Sequence, residues 1–381
     1  MELLLTEQSL VEQVAARAGQ ISSDLLVQCA GRGNINAEIV IISEAPGEAE
    51  TRELDLLDNF PMKGKSGTYL WELLRNIDVK RQDCYVTNVC KSKLVAPHNM
   101  DGKTGLKRHE AAHWETLLNW ELDQLPNIKY VLCLGNIALE ALTGSKGITL
   151  WRGSVFDCKI GRSERVCKTL TTFNPAAVLY NTSHAPMYKF DMAKFRMVLD
   201  GTYKSHPVRS HINPSRDDAV DFISTLAEAD RPIAFDIETM GNETACFGLA
   251  NDPHEGMCIN FRGLREQHYS LEDERIIRKK IQELVQDPKQ QLIAQNGNFD
   301  CYWLWYKDRI RVHKVWFDTL LAHHTLYPRM PHNLGFLTSQ YTTHPYYKDE
   351  SKTWREDGDI NQFWDYNIKD ACITYAVHEA L

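Results

Sequence analysis

Aliphatic and β-branched runs punctuate the first half of the chain at "EIVIIS" (38–43), "CYVTNV" (84–89), "YVLCLG" (130–135) and "VCKTLTTF" (166–173). Between them, 66–76 and 110–125 place apolar residues at helical spacing. Strands alternating with helices predict an α/β domain with a central parallel sheet, whose ligands bind beyond the C-terminal strand ends. Each run breaks there into a polar or glycine-bearing turn: Glu44-Ala45-Pro46-Gly47, then Asn88 with Lys91, then Gly135, then Asn174-Pro175.

The second half has a different rhythm. In "RPIAFDIETM" (231–240) an apolar strand is interrupted by Asp236 and Glu238. Side chains two apart share a strand face, so the two carboxylates point the same way, where like charges repel and resist burial. "QLIAQNGNFDCYWLWY" (291–306) predicts a short strand, a turn at Asn296-Gly297-Asn298, and an aromatic helix opened by Asp300. "FWDYNIKDACITYAVHEAL" (363–381) predicts a helix with Tyr366 and Asp370 one turn apart on one face. Alone, each feature has an ordinary reading: an exposed strand end, a helix N-cap, a packed aromatic. Together, Asp236, Glu238, Asp300 and Asp370 form a carboxylate set without a matching lysine or arginine motif, which suits hard divalent cations. A pair of such ions activates water against a phosphodiester.

Charge and composition narrow the partners. Residues 1–205 balance 24 basic against 24 acidic residues, whereas the remainder carries 19 against 27. Neither half is a bulk basic coat, so nucleic acid must be gripped locally or through metals. The polar stretch 200–218, with two prolines and no apolar periodicity, is expected to be a linker between domains 1–203 and 204–381. The ten cysteines form no C-x-x-C pair, and the amphipathic N-terminus is not a signal peptide. No apolar run reaches the ~18 residues of a membrane span. A cytoplasmic protein with reduced thiols is expected.

Residues 208–381 resemble the 3′–5′ proofreading exonuclease domain of family A DNA polymerases, of the DEDD type with a ribonuclease-H-like fold and mixed sheet. "FDIET" is similar to the first exonuclease motif, "QNGNFD" to the second and "YNIKD" to the third. Asp365, not histidine, lies five before Asp370, which fits the tyrosine subtype. The resemblance implies two divalent ions, Mg2+ or Mn2+. Asp236 would bridge both, Glu238 and Tyr366 would hold the attacking water, Asp300 would support the second ion from its outer shell, and Asp370 would complete the first site. It also implies that Asn296, Asn298 and Phe299 meet the substrate strand.

Residues 25–200 resemble the uracil-DNA glycosylase superfamily, nearest the family 4 type, a three-layer α/β/α fold. "SEAPGEAE" (43–50), "PMKGKSG" (61–67), "YVTNVCK" (85–91) and "TTFNPAAVL" (171–179) are similar to its motifs in order. The implied pocket comprises Glu44, Pro46, Gly47, Met62, Asn88 and Asn174. Two departures fall inside it, since Met62 replaces the aromatic beneath the flipped base and Asn174 replaces the usual histidine. The iron–sulfur ligands also depart: Cys29 lies near the first pair, but Ser92 and Trp114 stand at later positions, so no cluster is expected. The lysine- and arginine-rich run 91–109 is either a phosphate-tracking loop or a solvated one.

The two resemblances in series are similar to the front part of certain bacteriophage DNA polymerases. A metal-dependent exonuclease with a DNA-binding glycosylase-like module is expected, acting on a single-stranded 3′ end or a primer-template. A polymerase domain is expected beyond Leu381, in the cytoplasm of a bacterial host. The alternatives are an active glycosylase fused to an exonuclease, and a non-catalytic DNA-binding or processivity fragment.

Overall fold

The computed structural model describes residues 5–23, 25–94, 108–205, 207–263, 267–350 and 359–381, with the side chains of 108–110 outside that description. The chain divides into two compact units, Met1–Lys204 and Ser205–Leu381.

In the first unit the predicted strands form β2 (Ile39–Ser43), β3 (Cys84–Asn88), β4 (Tyr130–Leu134) and β6 (Arg165–Thr172), flanked by β1 (Arg32–Gly33) and β5 (Val155–Ile160). Their order is β1-β3-β2-β4-β6-β5. The inner four are mutually parallel, while β1 and β5 are antiparallel edges, so the sheet is mixed at its rims and parallel at its centre. Alternation along the strands sorts the core. Val40, Ile42, Val131 and Cys133 face α1 (Glu7–Ile21), α3 (Arg108–Asp123) and α4 (Asn136–Thr143). A second group, α2 (Lys65–Arg75), α6 (Pro175–Tyr180) and α7 (Ala185–Leu199), packs together, with α7 also on β6.

The second unit holds β7 (Arg209–His211), β8 (Ile233–Met240), β9 (Glu243–Ala250), β10 (Glu255–Asn260), β11 (Leu292–Ala294) and β12 (Val315–Asp318) in the order β12-β11-β8-β9-β10-β7. Strands β12, β11 and β8 run parallel, β8-β9-β10 is an antiparallel meander, and β7 joins β10 in parallel. Phe235 and Ile237 face the core built with α8 (Arg216–Glu228) and α9 (Leu271–Gln286). The opposite face of the sheet packs on α13 (Ile360–Ala380) through Ala245, Cys246, Cys258, Trp364 and Ile368. By the period-two rule that is the face of Asp236 and Glu238.

The stretch expected to be a linker is partly structured. Arg209–His211 forms the edge strand β7, and Ser215 caps α8 by accepting from Asp218 N. An edge strand needs backbone pairing, not apolar alternation, so its pattern did not announce it.

Candidate functional site

Three elements bring the acidic set of the second unit together. Strand β8 delivers Asp236 and Glu238, α10 (Asn298–Trp303) delivers Asp300, and α13 delivers Tyr366 and Asp370. Asp236, Glu238 and Asp370 each offer a carboxylate oxygen within 4.8 Å of the others. The β8-β9 register slips between Glu238 and Thr239, a bulge beside the site of the kind that re-aims side chains.

Asp300 is used differently. Its Oδ1 accepts from Ile237 N at 3.1 Å, tying α10 to the strand between the other two acids. Asp300 is buried and is not a member of the three-carboxylate group.

Burial and mutual repulsion raise the proton affinity of these carboxylates. Burial pushes the Asp236 carboxyl well above its ordinary range, and Asp370, Asp300 and Glu238 push further the same way. Glu238 is raised to about 8, by burial first and Asp370 second, with Lys348 opposing. Asp300 is raised to about 6 by burial, offset by the Ile237 N–H.

Several residues that the sequence reading missed hold this arrangement. Lys348 reaches the cluster, donating to Asp370 Oδ2 at 2.5 Å and to Tyr366 Oη at 2.8 Å. The expectation of carboxylates without a basic partner is therefore corrected: the Lys348 ammonium sits among them, delivered by a segment with no motif of its own. Tyr347 Oη donates to Asp370 Oδ1 at 2.5 Å. Asn367 Nδ2 donates to Asp236 Oδ2 at 2.8 Å and to its carbonyl at 3.2 Å. Asn367 approaches because Gly248, paired with Asp236 in the sheet, has no Cβ; one there would lie 2.6 Å from Asn367 Oδ1. A polar residue beside Tyr366 on a largely buried helix was the available signal for Asn367.

A cleft of about 450 Å³ opens on the site, lined by residues including Asp236, Asn296, His332, Lys348 and Asp370. Asn296 takes a left-handed conformation (φ 57°). Asp318 fixes the turn by accepting from Asn296 N at 3.1 Å and Gly297 N at 2.9 Å. Asn298 and Phe299 begin α10 and are exposed.

In the first unit Glu44, Asn88 and Asn174 stand at the C-terminal ends of β2, β3 and β6, where Glu44 and Asn174 meet. Glu44 Oε1 accepts from Ile137 N, at the start of α4, at 3.1 Å. Asn174 caps α6 through Ala176 N and donates to Glu44 Oε2 at 3.2 Å and Ser43 Oγ at 3.1 Å. Burial raises the Glu44 carboxyl, offset by the Ile137 and Asn136 N–H groups and by Asn174. Gly135 (φ 94°) permits this placement, since a Cβ there would fall 2.5 Å from Glu44 Cδ. Pro46 is buried, and Gly47 N donates to Glu50 Oε2 at 3.1 Å. Met62 is buried at φ 57°, its carbonyl so close to α2 that a Cβ on Gly67 would lie 2.0 Å away. Asn88 is fully buried, and neither of its amide atoms has a hydrogen-bond partner.

The positions that the resemblance sets against the family 4 cluster ligands lie in the first unit. Ser92 Oγ donates to the Leu26 carbonyl, Trp114 packs in the core, and burial pushes the Cys29 thiol up to about 12. Of the basic run 91–109, residues 95–107 lie outside the described residues. Lys91 is not available to phosphate: it is buried and paired with Glu121 at 2.5 Å.

Known proteins match both units of the chain. Residues 30–197 match the uracil DNA glycosylase superfamily, and residues 211–381 match a 3′–5′ exonuclease family. The type-4 uracil-DNA glycosylase of Archaeoglobus fulgidus is 31% identical over 170 residues, covering 43% of this chain and 78% of that protein. That of Thermotoga maritima is 32% identical over 156 residues, covering 40% and 72%. Among solved structures, the exonuclease domain of Aedes aegypti Nibbler aligns over 46% of this chain and 90% of its own, at 16% identity and TM-score 0.36. With strand-end sites in both units, the chain belongs to the uracil DNA glycosylase superfamily through residues 30–197 and carries a 3′–5′ exonuclease domain over residues 211–381.

Proposed function

We propose that the second unit is a metal-dependent 3′–5′ exodeoxyribonuclease that removes nucleotides from a single-stranded or frayed 3′ end. We further propose that it serves proofreading as the front part of a phage-type family A polymerase. The observation that carries the nuclease reading is the approach of Asp236, Glu238 and Asp370 to within 4.8 Å, with raised proton affinity at Asp236 and Glu238. A glycosylase-superfamily unit in the same chain favours DNA as the substrate.

These three carboxylates would hold two divalent ions, with Asp300 in support. Bound there, such ions supply an activated water and neutralise charge on the leaving oxygen. The protein's own groups orient the rest. The Tyr366 phenol, raised far above its usual range by burial and Asp370, stays protonated and offers its O–H to position the attacking water. Asn367 and the Ile237 N–H hold Asp236 and Asp300 in place. Asn296, Asn298 and Phe299 would receive the strand end.

Asp236→Ala tests this reading with a 5′-labelled oligonucleotide. The unaltered chain should produce a 3′-end ladder with Mn2+ and none with EDTA, while the variant should be inactive yet folded. Near-normal trimming by the variant would sink the assignment.

Asn88 favours a second reading, for the first unit. A buried amide left unpaired costs roughly 1–3 kcal/mol, and the edge of a flipped uracil offers the complementary donor and acceptor. With Met62 and Asn174 in the pocket, this unit is proposed to hold DNA and a flipped base while excising it slowly, and to carry no iron–sulfur cluster. The test is uracil release from single-stranded DNA in EDTA. Rapid release abolished by Asn88→Ala would make it a working glycosylase.

A further inference from the structure

We infer that the outer face of α10 and the turn after it form a docking platform for single-stranded DNA, leading to the cleft of the exonuclease site. The inference rests on the exonuclease reading for its direction, but its evidence is separate. Helix α10 runs into a π-helical turn, Leu304–Asp308, a geometry frequent at functional sites. Asp300 takes the inner face. On the outer side Tyr302, Trp305 and Tyr306 are 58%, 53% and 48% exposed, an unusual density of large aromatics for one short segment in solvent. The Tyr302 and Tyr306 rings lie parallel, 5.7 Å between centroids and 10° between planes.

Charge selects the occupant. Asp308 is the one acid in 301–316, and it is already matched: Arg278 Nη1 donates to it at 2.8 Å and Thr244 Oγ1 at 2.6 Å. Trp303 Nε1 also donates to Thr244 Oγ1 at 3.0 Å, which fixes the base of the platform to β9. Arg309, Arg311 and Lys314 follow, exposed and without an ion pair among the described residues. This basic strip lies in the half of the chain with 19 basic against 27 acidic residues. Exposed rings interleaved with unneutralised cations match the stacking faces and phosphates of an unpaired strand; a purely apolar partner would leave those cations unused. At the helical rise, Asn296 in the cleft to Arg309 spans about 20 Å along α10 and its extension, the reach of several nucleotides behind a bound 3′ end.

The experiment measures binding of the full chain in EDTA to labelled oligo-dT of about 16 nucleotides, with a duplex of equal length as control. Replacing Tyr302, Trp305 and Tyr306 with Ala should weaken oligo-dT binding by roughly tenfold or more and change duplex binding little. Phe at all three positions should restore most of it. Replacing Arg309, Arg311 and Lys314 with Gln should reduce the salt slope of oligo-dT binding by about 2. If the alanine variant does not fold, the phenylalanine and glutamine variants decide. Unchanged oligo-dT affinity and salt slope overturn the platform, and that is also the result if the patch docks another protein. Absence of Mn2+-dependent trimming by the unaltered chain would instead strike the exonuclease reading, because binding in EDTA requires no cleavage.

Discussion

Glu238→Gln should stabilise the metal-free exonuclease unit at neutral pH, by an amount that grows as pH rises. Glu238 stands at about 8 in the folded protein against an ordinary 4.5. Between those values the unfolded chain has released this proton and the folded chain has kept it. The folded state therefore binds more protons, and its stability falls as pH rises. At about 1.4 kcal/mol per pH unit, the cost is under ~1 kcal/mol at pH 5, roughly 3 kcal/mol at pH 7 and roughly 4 kcal/mol at pH 8, where half of the folded molecules have also ionised. Glutamine has nothing to titrate and nearly the same shape. In a unit of this size, ~3 kcal/mol corresponds to about 6–12 °C in melting temperature. The assay is thermal unfolding of the full chain in EDTA from pH 5 to 8, following the transition that shifts with Mn2+. The unaltered protein should lose melting temperature steadily, the variant less steeply because Asp236 and Asp300 still titrate in it, and the gap should close below pH 5. Parallel profiles would refute the reasoning, because they would mean that Glu238 ionises as freely in the fold as in water.

Asp236→Ala should abolish both trimming and the Mn2+ shift of that transition, while leaving metal-free stability equal or higher, as read by the same melts. Tyr366→Phe should slow single-turnover hydrolysis by roughly 10- to 1000-fold, the scale of a lost positioning hydrogen bond, with Mn2+ affinity nearly unchanged by calorimetry. Lys348→Met should lower the Mn2+ concentration needed for half-maximal stabilisation, since an ion no longer competes with the ammonium for Asp370; a higher requirement would show that Lys348 helps to build the ion site. In the Asp236→Ala background, where nuclease action cannot hide the product, uracil release should be roughly a thousandfold below that of a pocket with the aromatic and the histidine. Restoring both by Met62→Phe and Asn174→His should raise it.

The sequence exposed most of this site because its groups violate their local pattern. Two carboxylates in an apolar strand and a tyrosine–aspartate pair on a buried helix stand out, since the periodicities of strand and helix give each position an expected polarity. The inner strands of the first unit were legible for the same reason: buried on both faces, they read as continuous apolar runs. What escaped follows a rule as well. Lys348 sits in a segment without strong periodicity, and only the tertiary fold carries it to Asp370. Gly248 matters because of what crosses above it, which no spacing encodes. Strand β7 is held at an edge by backbone bonds that any sequence can make. Lys91 looked like part of a basic loop, and its burial against Glu121 depends on a helix 30 residues away.

Both units leave at their strand ends something that folding alone would remove. In the first, Asn88 is buried with its amide unpaired; in the second, three carboxylates converge, with the Lys348 ammonium bonded to Asp370. Either would be relieved by one apolar or neutral substitution, and core positions under no other demand tend to resolve such conflicts. The surroundings show that neither is accidental slack. Gly135, Gly248 and Gly67 are each required by a close approach at these sites, and Asp318, Asn367 and the Ile237 N–H spend hydrogen bonds on maintaining the strained arrangement. An arrangement that is unfavourable when empty and still held rigidly in place gains most from its ligand, because the ligand supplies the missing partner and little reorganisation is needed. On the proposed reading, cations would satisfy the carboxylates and a base edge the amide. If that reading holds, the two deficits are preorganised, one for metal at a 3′ end and one for a nucleobase, and ligand-dependent stabilisation of each unit should precede any measure of turnover as the first sign that both are functional.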